Sequence, residues 1–589
     1  MSEQQSQHPG PEESPHHLEQ QRKENRAAIA ALGVDPYGGR TTGLVSLAEA
    51  RGRYDAGADE RWQEEQKNSK AAEQQSSRAI DPRPVVKVAG RVVLKREGGK
   101  LIWMQLRDHT TGPKGEEEQQ SNRAAEQQSA QGVPPPGPLP TPGTPGSPGR
   151  GGGAEPDLQI AISKKDCAAP GFDVATYVDL GDVVVVEGPL MKTRTGEVTI
   201  WASSLTVACK SVAPPPAKWQ GLQDVELRYR RRYVDLYANP ETMRTFVLRS
   251  KLAALIRRFL DERGFMEVDT PVLQVQAGGA AARPFMTHMN ALGLDLFMRV
   301  APELYLKRLL VGGMPRVFEW SRNFRNEGLD KTHNPEFTIL ELYEAFGDYN
   351  TMRELTEGLF RACARCVAAG NGEWANGKGP NTEQQMGEES LVLPFGELRI
   401  DYGRAFEVVK YEELFERALG VSMWDAPGVL GAAKTRGLPT VNKAGVALDP
   451  MLLVNELFDV AEELIDPSRP TFVIDYPAAL CPLTRPKKDR PQVAERFELF
   501  IGGMEMANAY TELNDPDVQE AKFREQLAGI DEEESTFRTF DEDFVNALKV
   551  GMPPAGGLGI GIERLMMVLL DQRTIRDVLL FPMMKPVGG

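Results

Sequence analysis

The sequence predicts an α+β protein in two folded blocks, a small β-barrel followed by a larger domain of antiparallel β-sheet flanked by helices. Three observations carry that reading. From Val85, apolar residues alternate with period two in short runs separated by Gly-bearing turns. From Thr242, amphipathic helical patterns mix with alternating strands and hairpins. Gln-rich and Pro/Gly-rich tracts stand apart from both, too poor in large apolar residues to enter a core. A length of 589 residues exceeds what one core ordinarily serves.

Residues 1–80 are rich in Gln, Glu, Ser and Ala and are expected to form a flexible arm. Within it, Leu18 to Ala31 is helix-forming, and Gly33 with Pro36 supplies a stop signal, which fits a short amphipathic helix or a nascent one. Residues 81–212 hold the period-two runs: Val86 to Leu94, Leu101 to Leu106, Leu158 to Ile162, Val183 to Val186 and Val198 to Trp201. Short strands with small turns suit an OB-like barrel, whose faces bind single-stranded oligonucleotides. Trp103 and Trp201 are either base-stacking platforms or core residues. A low-complexity insertion at about 112–155 (GVPPPGPLPTPGTPGSPGRGGG) is expected to loop out.

Residues 213–240 read as a linker: a Pro-rich break, then a basic helical segment with Arg228, Arg230, Arg231 and Arg232, suited to phosphate contacts or to a solvated hinge. Residues 241–589 form the larger block, with a surface insertion at about 371–389. Overall, 69 Lys and Arg against 84 Asp and Glu give a charge of -15, which argues against polyanion binding over the whole surface, and DNA is not an expected partner. Five scattered Cys do not make a disulfide framework and fit a reducing compartment. Cys363 and Cys366 lie in a helical run with no second ligand pair nearby, so no metal is assigned to them. With a polar N-terminus and no stretch of about 18 apolar residues, the expectation is a cytoplasmic protein without a membrane span.

The stretch VFEWSRNFRNEGLDKTHNPEFTILELYEAF, residues 317–346, reads as strand, loop, strand. Residues two apart share a face, so Arg325 and Glu327 project together from the first strand, and Phe337, Ile339, Glu341 and Tyr343 from the second. Such a set is expensive to bury without a charged ligand. In the run Met504 to Leu513, Asn508, Tyr510 and Glu512 again share a face, whereas Glu505 has the opposite parity and joins them only across a bulge. Glu498 precedes a Gly502, Gly503 turn, so two carboxylates flank a tight turn and suggest Mg²⁺ held through oxygen. Near the C-terminus, AGGLGIGIERLMMVLLD runs from glycines into a helix opened by Glu563 and Arg564. No Walker A motif occurs, and Arg564 at that helix start fits a nucleotide phosphate.

These segments carry a resemblance. GFMEVDTP (264–271), FRNEG with HNPEFT, and GLGIGIERL resemble motifs one, two and three of the class II aminoacyl-tRNA synthetases. GGAAARPF (278–285), APELYLKRL (301–309), NAYTELND (508–515) and LLFPMMKP (579–586) resemble the lysyl-tRNA synthetase branch, and the similarity spans nearly everything from Arg83 onward except the insertions. Small departures are Thr332 before HNPEFT, Met289 after His288, Cys481 in place of a common Ser and Glu563 in place of Asp.

By resemblance, residues 81–212 are an OB-fold anticodon-binding domain with Trp103 against a base, and 241–589 a class II catalytic domain. The resemblance implies ATP, L-lysine and tRNA(Lys) as substrates, Mg²⁺ as cofactor and a homodimer. It places Arg325 on the α-phosphate and amino-acid carboxylate, Glu327 on the adenine amino group, Phe337 in stacking on adenine, and Arg564 on the γ-phosphate. His333 and Asn334 contact the nucleotide and acceptor end. Glu498 and Glu505 hold Mg²⁺, Glu303 and Gly279 the α-ammonium, Asn508 the carboxylate side, and Glu512 with Tyr343 and Glu341 the ε-ammonium, with Tyr510 beside them. The chemistry agrees, since a substrate with two ammonium groups needs carboxylates at both ends and one with an acidic side chain needs the opposite sign.

Overall fold

The computed structural model describes residues 15–71, 81–112, 155–216, 221–276, 278–280, 282–369, 391–441, 445, 447–528 and 540–586. The low-complexity tract and the surface insertion expected at 371–389 lie outside the described residues. The chain divides into two compact units, Met1–Arg244 and Thr245–Gly589.

In the first unit, β1 (Val85–Gly98), β2 (Leu101–Arg107), β3 (Leu158–Ser163), β4 (Val183–Lys192), β5 (Val198–Trp201) and β6 (Ser204–Cys209) pair in the order β1-β2-β3-β5-β4-β6. A further pairing of β1 with β4 closes five of them into a barrel, as an OB fold requires. Alternation along β2 turns Ile102, Met104 and Leu106 into the core and leaves Trp103 half-buried on the outer face. The Trp201 ring is also outside the core, its Nε1 donating to Asp166 at 3.1 Å.

The described part of the segment expected to be a flexible arm is instead folded. Helices α1 (Pro15–Ala31), α2 (Leu47–Gly52) and α3 (Ala56–Ala71) precede the barrel, and Ile29, Leu47 and Ala50 are fully buried in the barrel's core cluster. Arg22 donates to the carbonyls of Leu180 (2.8 Å) and Ser211 (3.1 Å), and Asn25 to Asp179 at 3.0 Å. Beneath them the buried Lys210 ammonium lies between Asp179 and Asp182. The polar composition hides this docking, because a few apolar residues suffice where a preformed barrel receives them. The basic linker segment turns inward in part: buried Asp235 accepts from Arg228 at 2.8 Å and from Arg232 at 2.5 Å, while Arg231 is exposed and Arg230 pairs with exposed Glu226.

The second unit is built on an eight-stranded sheet. Its strands are β7 (Met266–Glu267), β8 (Arg316–Phe324), β9 (Glu336–Ala345), β10 (Glu407–Lys410), β11 (Thr471–Pro477), β12 (Val493–Ile501), β13 (Met504–Thr511) and β14 (Ala555–Gly561), in the order β10-β11-β12-β13-β14-β9-β8-β7. The pairings are antiparallel except at the two ends, β10 with β11 and β7 with β8. One face packs Phe318, Leu340, Leu342 and Leu558 into a core shared with α4 (Tyr349–Ala368) and α5 (Ile562–Leu569). On the opposite face Val317 and Tyr343 meet α6 (Glu303–Val311) and α7 (Glu542–Gly551). Strand parity thus separates an apolar face from one free to carry chemistry.

If the arm belongs to the barrel's core, Ile29→Ala should destabilise the first unit by about 2–5 kcal/mol. Urea unfolding followed by barrel tryptophan fluorescence checks this, and an unchanged midpoint would return the arm to a free segment.

Candidate active site

Sheet register aligns the site in rows. Arg496, Tyr510, Gly557 and Tyr343 stand side by side across β12, β13, β14 and β9, and the next row is Glu498, Asn508, Gly559 and Glu341. Glycines in the central strand leave a floor without side chains, and a cavity of about 680 Å³ opens above it. At Gly557 a Cβ would strike the Glu512 carboxylate and the Tyr343 ring, so glycine is required there.

Arg325, Glu327, His333, Asn334, Phe337 and Arg564 line this cavity. So do Gly279, Glu303, Glu341, Tyr343, Asn508, Tyr510 and Glu505. Glu512 does not line the cavity: it is buried just beyond β13, behind the floor at Gly557. Two sequence expectations change in detail. Strand β8 ends at Phe324, so Arg325 and Glu327 leave from the loop, although the Arg325 N–H still donates to the Pro335 carbonyl at 2.9 Å and holds the hairpin together. A bulge at Met506 breaks the β12–β13 register, since Leu499 faces Ala507 but Phe500 faces Glu505, and this brings Glu505 to the Asn508 side. Trp103 belongs to the other unit.

At the open end, the Arg325 guanidinium lies 5.1 Å from the Phe337 ring centroid. Arg564 donates to the Glu505 carbonyl at 2.7 Å and contacts His333 Nε2 at 3.1 Å. His333 Nδ1 is fixed by Asp330 at 2.7 Å. Glu563 is buried between the Thr338 N–H and Arg249, both at 2.8 Å, and so ties the strand carrying Phe337 to the helix carrying Arg564.

Beside this, Glu498 accepts from Tyr476 at 2.8 Å and pairs with Arg496. Burial pushes the Glu498 carboxyl up, against the pull of Arg496, and nearby Glu462 is pushed up to about 7 by burial and by Glu498, Asp459 and Glu505. Glu462, Glu498 and Glu505 line one small hollow, yet among the described residues no three His, Cys, Asp or Glu are placed to hold a metal ion. Sequence reading passed over Arg496. Its Nε donates to Asn508 at 3.1 Å while its other end holds Glu498, so one partly buried guanidinium spans both halves of the site.

The closed end is acidic. Tyr510 donates to Glu303 at 2.7 Å, Tyr343 to Glu341 at 3.4 Å, and both oxygens of Glu512 lack a hydrogen-bond partner. Glu512 is paired electrostatically with Lys307, 2.5 Å away but outside hydrogen-bonding alignment. Burial is the main force raising Glu341 and Glu512, each to about 8, with Glu303 adding repulsion in both and Lys307 opposing it at Glu512. The closed end is thus rich in carboxylates, whereas the open end carries Arg325 and Arg564.

The comparisons with known proteins agree with that geometry. The family model described as tRNA synthetases class II (D, K and N) matches residues 224–585, and the chain belongs to that family. A lysine–tRNA ligase of Carboxydothermus hydrogenoformans is 37% identical over 570 residues, 96% of this chain and 97% of that one. One of Pelotomaculum thermopropionicum is 39% identical over 585 residues, covering 98% and 96%. The heat-inducible lysine–tRNA ligase of Escherichia coli K12 is 45% identical over 417 residues, covering 69% and 77%. Within the class II enzymes the chain stands with the lysine–tRNA ligases.

Because the floor of the cavity has no room for a methyl group, Gly557→Ala should abolish ligand binding at the closed end while costing about 1–3 kcal/mol in stability. Calorimetric titration with thermal unfolding checks both, and binding retained at full strength would contradict the floor assignment.

Proposed function

We propose that the chain activates L-lysine with ATP to lysyl-adenylate and transfers the lysyl group to the 3′ end of tRNA(Lys). The observation that carries this reading is the grouping of Glu303, Glu341 and Glu512 at the closed end of a cavity whose open end holds Arg325 and Arg564. An aspartate side chain would meet repulsion there, which sets the lysine reading above the other members of the matched family.

ATP lies with its adenine on Phe337, its amino group near Glu327, its α-phosphate against Arg325 and its γ-phosphate against Arg564, with His333 and Asn334 closing over it. Glu303 and the Gly279 backbone take the α-ammonium, Asn508 the carboxylate side, and Glu512, Glu341, Tyr343 and Tyr510 the side-chain ammonium. Held this way, the lysine carboxylate attacks the α-phosphorus in line and pyrophosphate leaves, with Arg325 stabilising the charge that builds on the phosphorus oxygens. Glu498 and Glu505 would hold Mg²⁺, which when bound would neutralise charge on the phosphates. Trp103, outward on the barrel, offers a stacking surface to an anticodon base, worth about 1–3 kcal/mol.

A homodimer fits the exposed apolar side chains gathered at residues 266–294, including Val275, Met286 and Leu292 at 61%, 62% and 71% exposure. A cytoplasmic setting fits five unpaired cysteines. Among the described residues no helix is long and apolar enough to cross a membrane.

Pyrophosphate exchange into ATP should depend on lysine and on no other standard amino acid, and exchange with aspartate would overturn the pocket assignment. In the same assay, Glu512→Gln should weaken lysine by about a hundredfold or more, from the roughly 3–5 kcal/mol of a broken buried charge pair, and leave ATP little changed. Equal loss for both substrates would show that Glu512 does not read the side chain.

The raised carboxyls set the pH response. In the free chain Glu341 and Glu512, at about 8, are largely protonated at lower pH, whereas bound ammonium groups favour their ionised forms. Lysine affinity should therefore fall as pH drops below 8, and binding near neutrality should release protons. Calorimetry in buffers of different ionisation enthalpy checks this, and binding without proton release would contradict it.

A further inference from the structure

The structure draws attention to a residue behind the cavity wall. Lys307 sits four residues after Glu303 on α6, and its side chain is fully buried. Its Nζ donates to Glu303 at 2.7 Å, lies 2.5 Å from Glu512 and stands 5.5 Å from the Tyr510 ring centroid. Neither Lys307 nor Glu512 lines the cavity, whereas Glu303 and Glu341 do, and only the Gly557 backbone separates the Glu512 carboxylate from it. An ammonium deep in a site read as a lysine pocket would be expected to compete with the ligand, unless the pocket needs it.

Charge balance supplies the need. Glu303, Glu341 and Glu512 bring three carboxylates to the closed end, and Lys307 offsets one of them, so two negative charges remain for the two ammonium groups of the ligand. Resting on the lysine reading above, we propose that Lys307 is a positioning residue that sets amino-acid selectivity, fixing the pocket's net charge and holding Glu512 against the cavity floor with one oxygen toward the ligand.

The neighbouring elements leave this task to Lys307. From β13 and the residue after it come Tyr510 and Glu512, and from β9 Glu341 and Tyr343. From α7 and its N-cap, Asp541 and Asp543 are taken by Arg308 at 3.0 and 2.8 Å. Arg325 acts on Glu341 from the phosphate side. If the Lys307 charge is removed, Glu512 loses the cation 2.5 Å away that favours its ionised form and holds its proton to higher pH, and lysine then binds only where pH drives that proton off.

The test uses the full-length chain in lysine-dependent pyrophosphate exchange, followed between about pH 6 and pH 9. Lys307→Met should raise the lysine KM by at least about tenfold near neutrality, displace the acidic limb of kcat/KM for lysine upward by about one pH unit or more, and leave the ATP KM within about twofold. Lys307→Arg, which keeps the charge, should return the limb toward its original position even if kcat/KM is lower. An unmoved limb in Lys307→Met would overturn the proposal. So would joint loss of lysine and ATP use in both variants, because Lys307 would then serve the fold and not the pocket. The two readings fail separately: an unmodified chain without lysine-dependent exchange defeats the lysine assignment itself, whereas normal exchange with an indifferent Lys307→Met defeats only this inference.

Discussion

Glu303 and Glu341 line one end of a cavity with Glu512 buried behind it, burial and repulsion hold Glu341 and Glu512 against ionisation, and the rest of the site is arranged around that cost. Burying a charge without a partner is among the most unfavourable things a fold can do. Here Lys307 meets Glu303 and Glu512 from behind, Tyr510 donates to Glu303, and the Glu512 oxygens have no hydrogen-bond partner of their own. On the lysine reading proposed above, a dicationic amino acid completes this charge balance and an acidic one does not. Selectivity of this kind comes from a difference in electrostatic energy, and shape contributes the limit on size.

The sheet makes such a cluster affordable in space. Two rows of side chains cross four strands, and the glycines of β14 remove the side chains that would otherwise fill the centre. The reverse face carries the larger apolar core with α4 and α5, and the site's own face is apolar only where Val317 and Tyr343 meet α6 and α7. Arg496 links the halves by holding Glu498 with one end and Asn508 with the other, and Glu563 links the Phe337 strand to the helix bearing Arg564. A disturbance at either end is therefore felt through a small number of buried polar contacts.

Much of this was legible in the residues. Period-two alternation predicted which of Phe337, Glu341 and Tyr343, and of Asn508 and Tyr510, would share a face, because strand geometry fixes the side to which each residue points. The bulge that Glu505 needed is present at Met506. Other features were hidden for identifiable reasons. Glu303 and Lys307 have the four-residue spacing of an ordinary solvated helix pair, and only burial of α6 reveals the lysine as part of the site. The docking of α1 was masked by a polar composition, since Ile29 and Arg22 matter through the barrel surface they meet, far away in sequence.

By itself the sequence determined the two blocks, the barrel, the strand faces and the chemical types gathered on them, because these follow from local periodicity and from side chains whose charge is intrinsic. Tertiary structure alone decided the register that lines up Tyr510, Gly557 and Tyr343, the pairing of Lys307 with Glu512 and the suppressed ionisation of Glu341. Those properties depend on distance and on exclusion of water between residues remote in the chain, and neither quantity exists until the sheet is assembled.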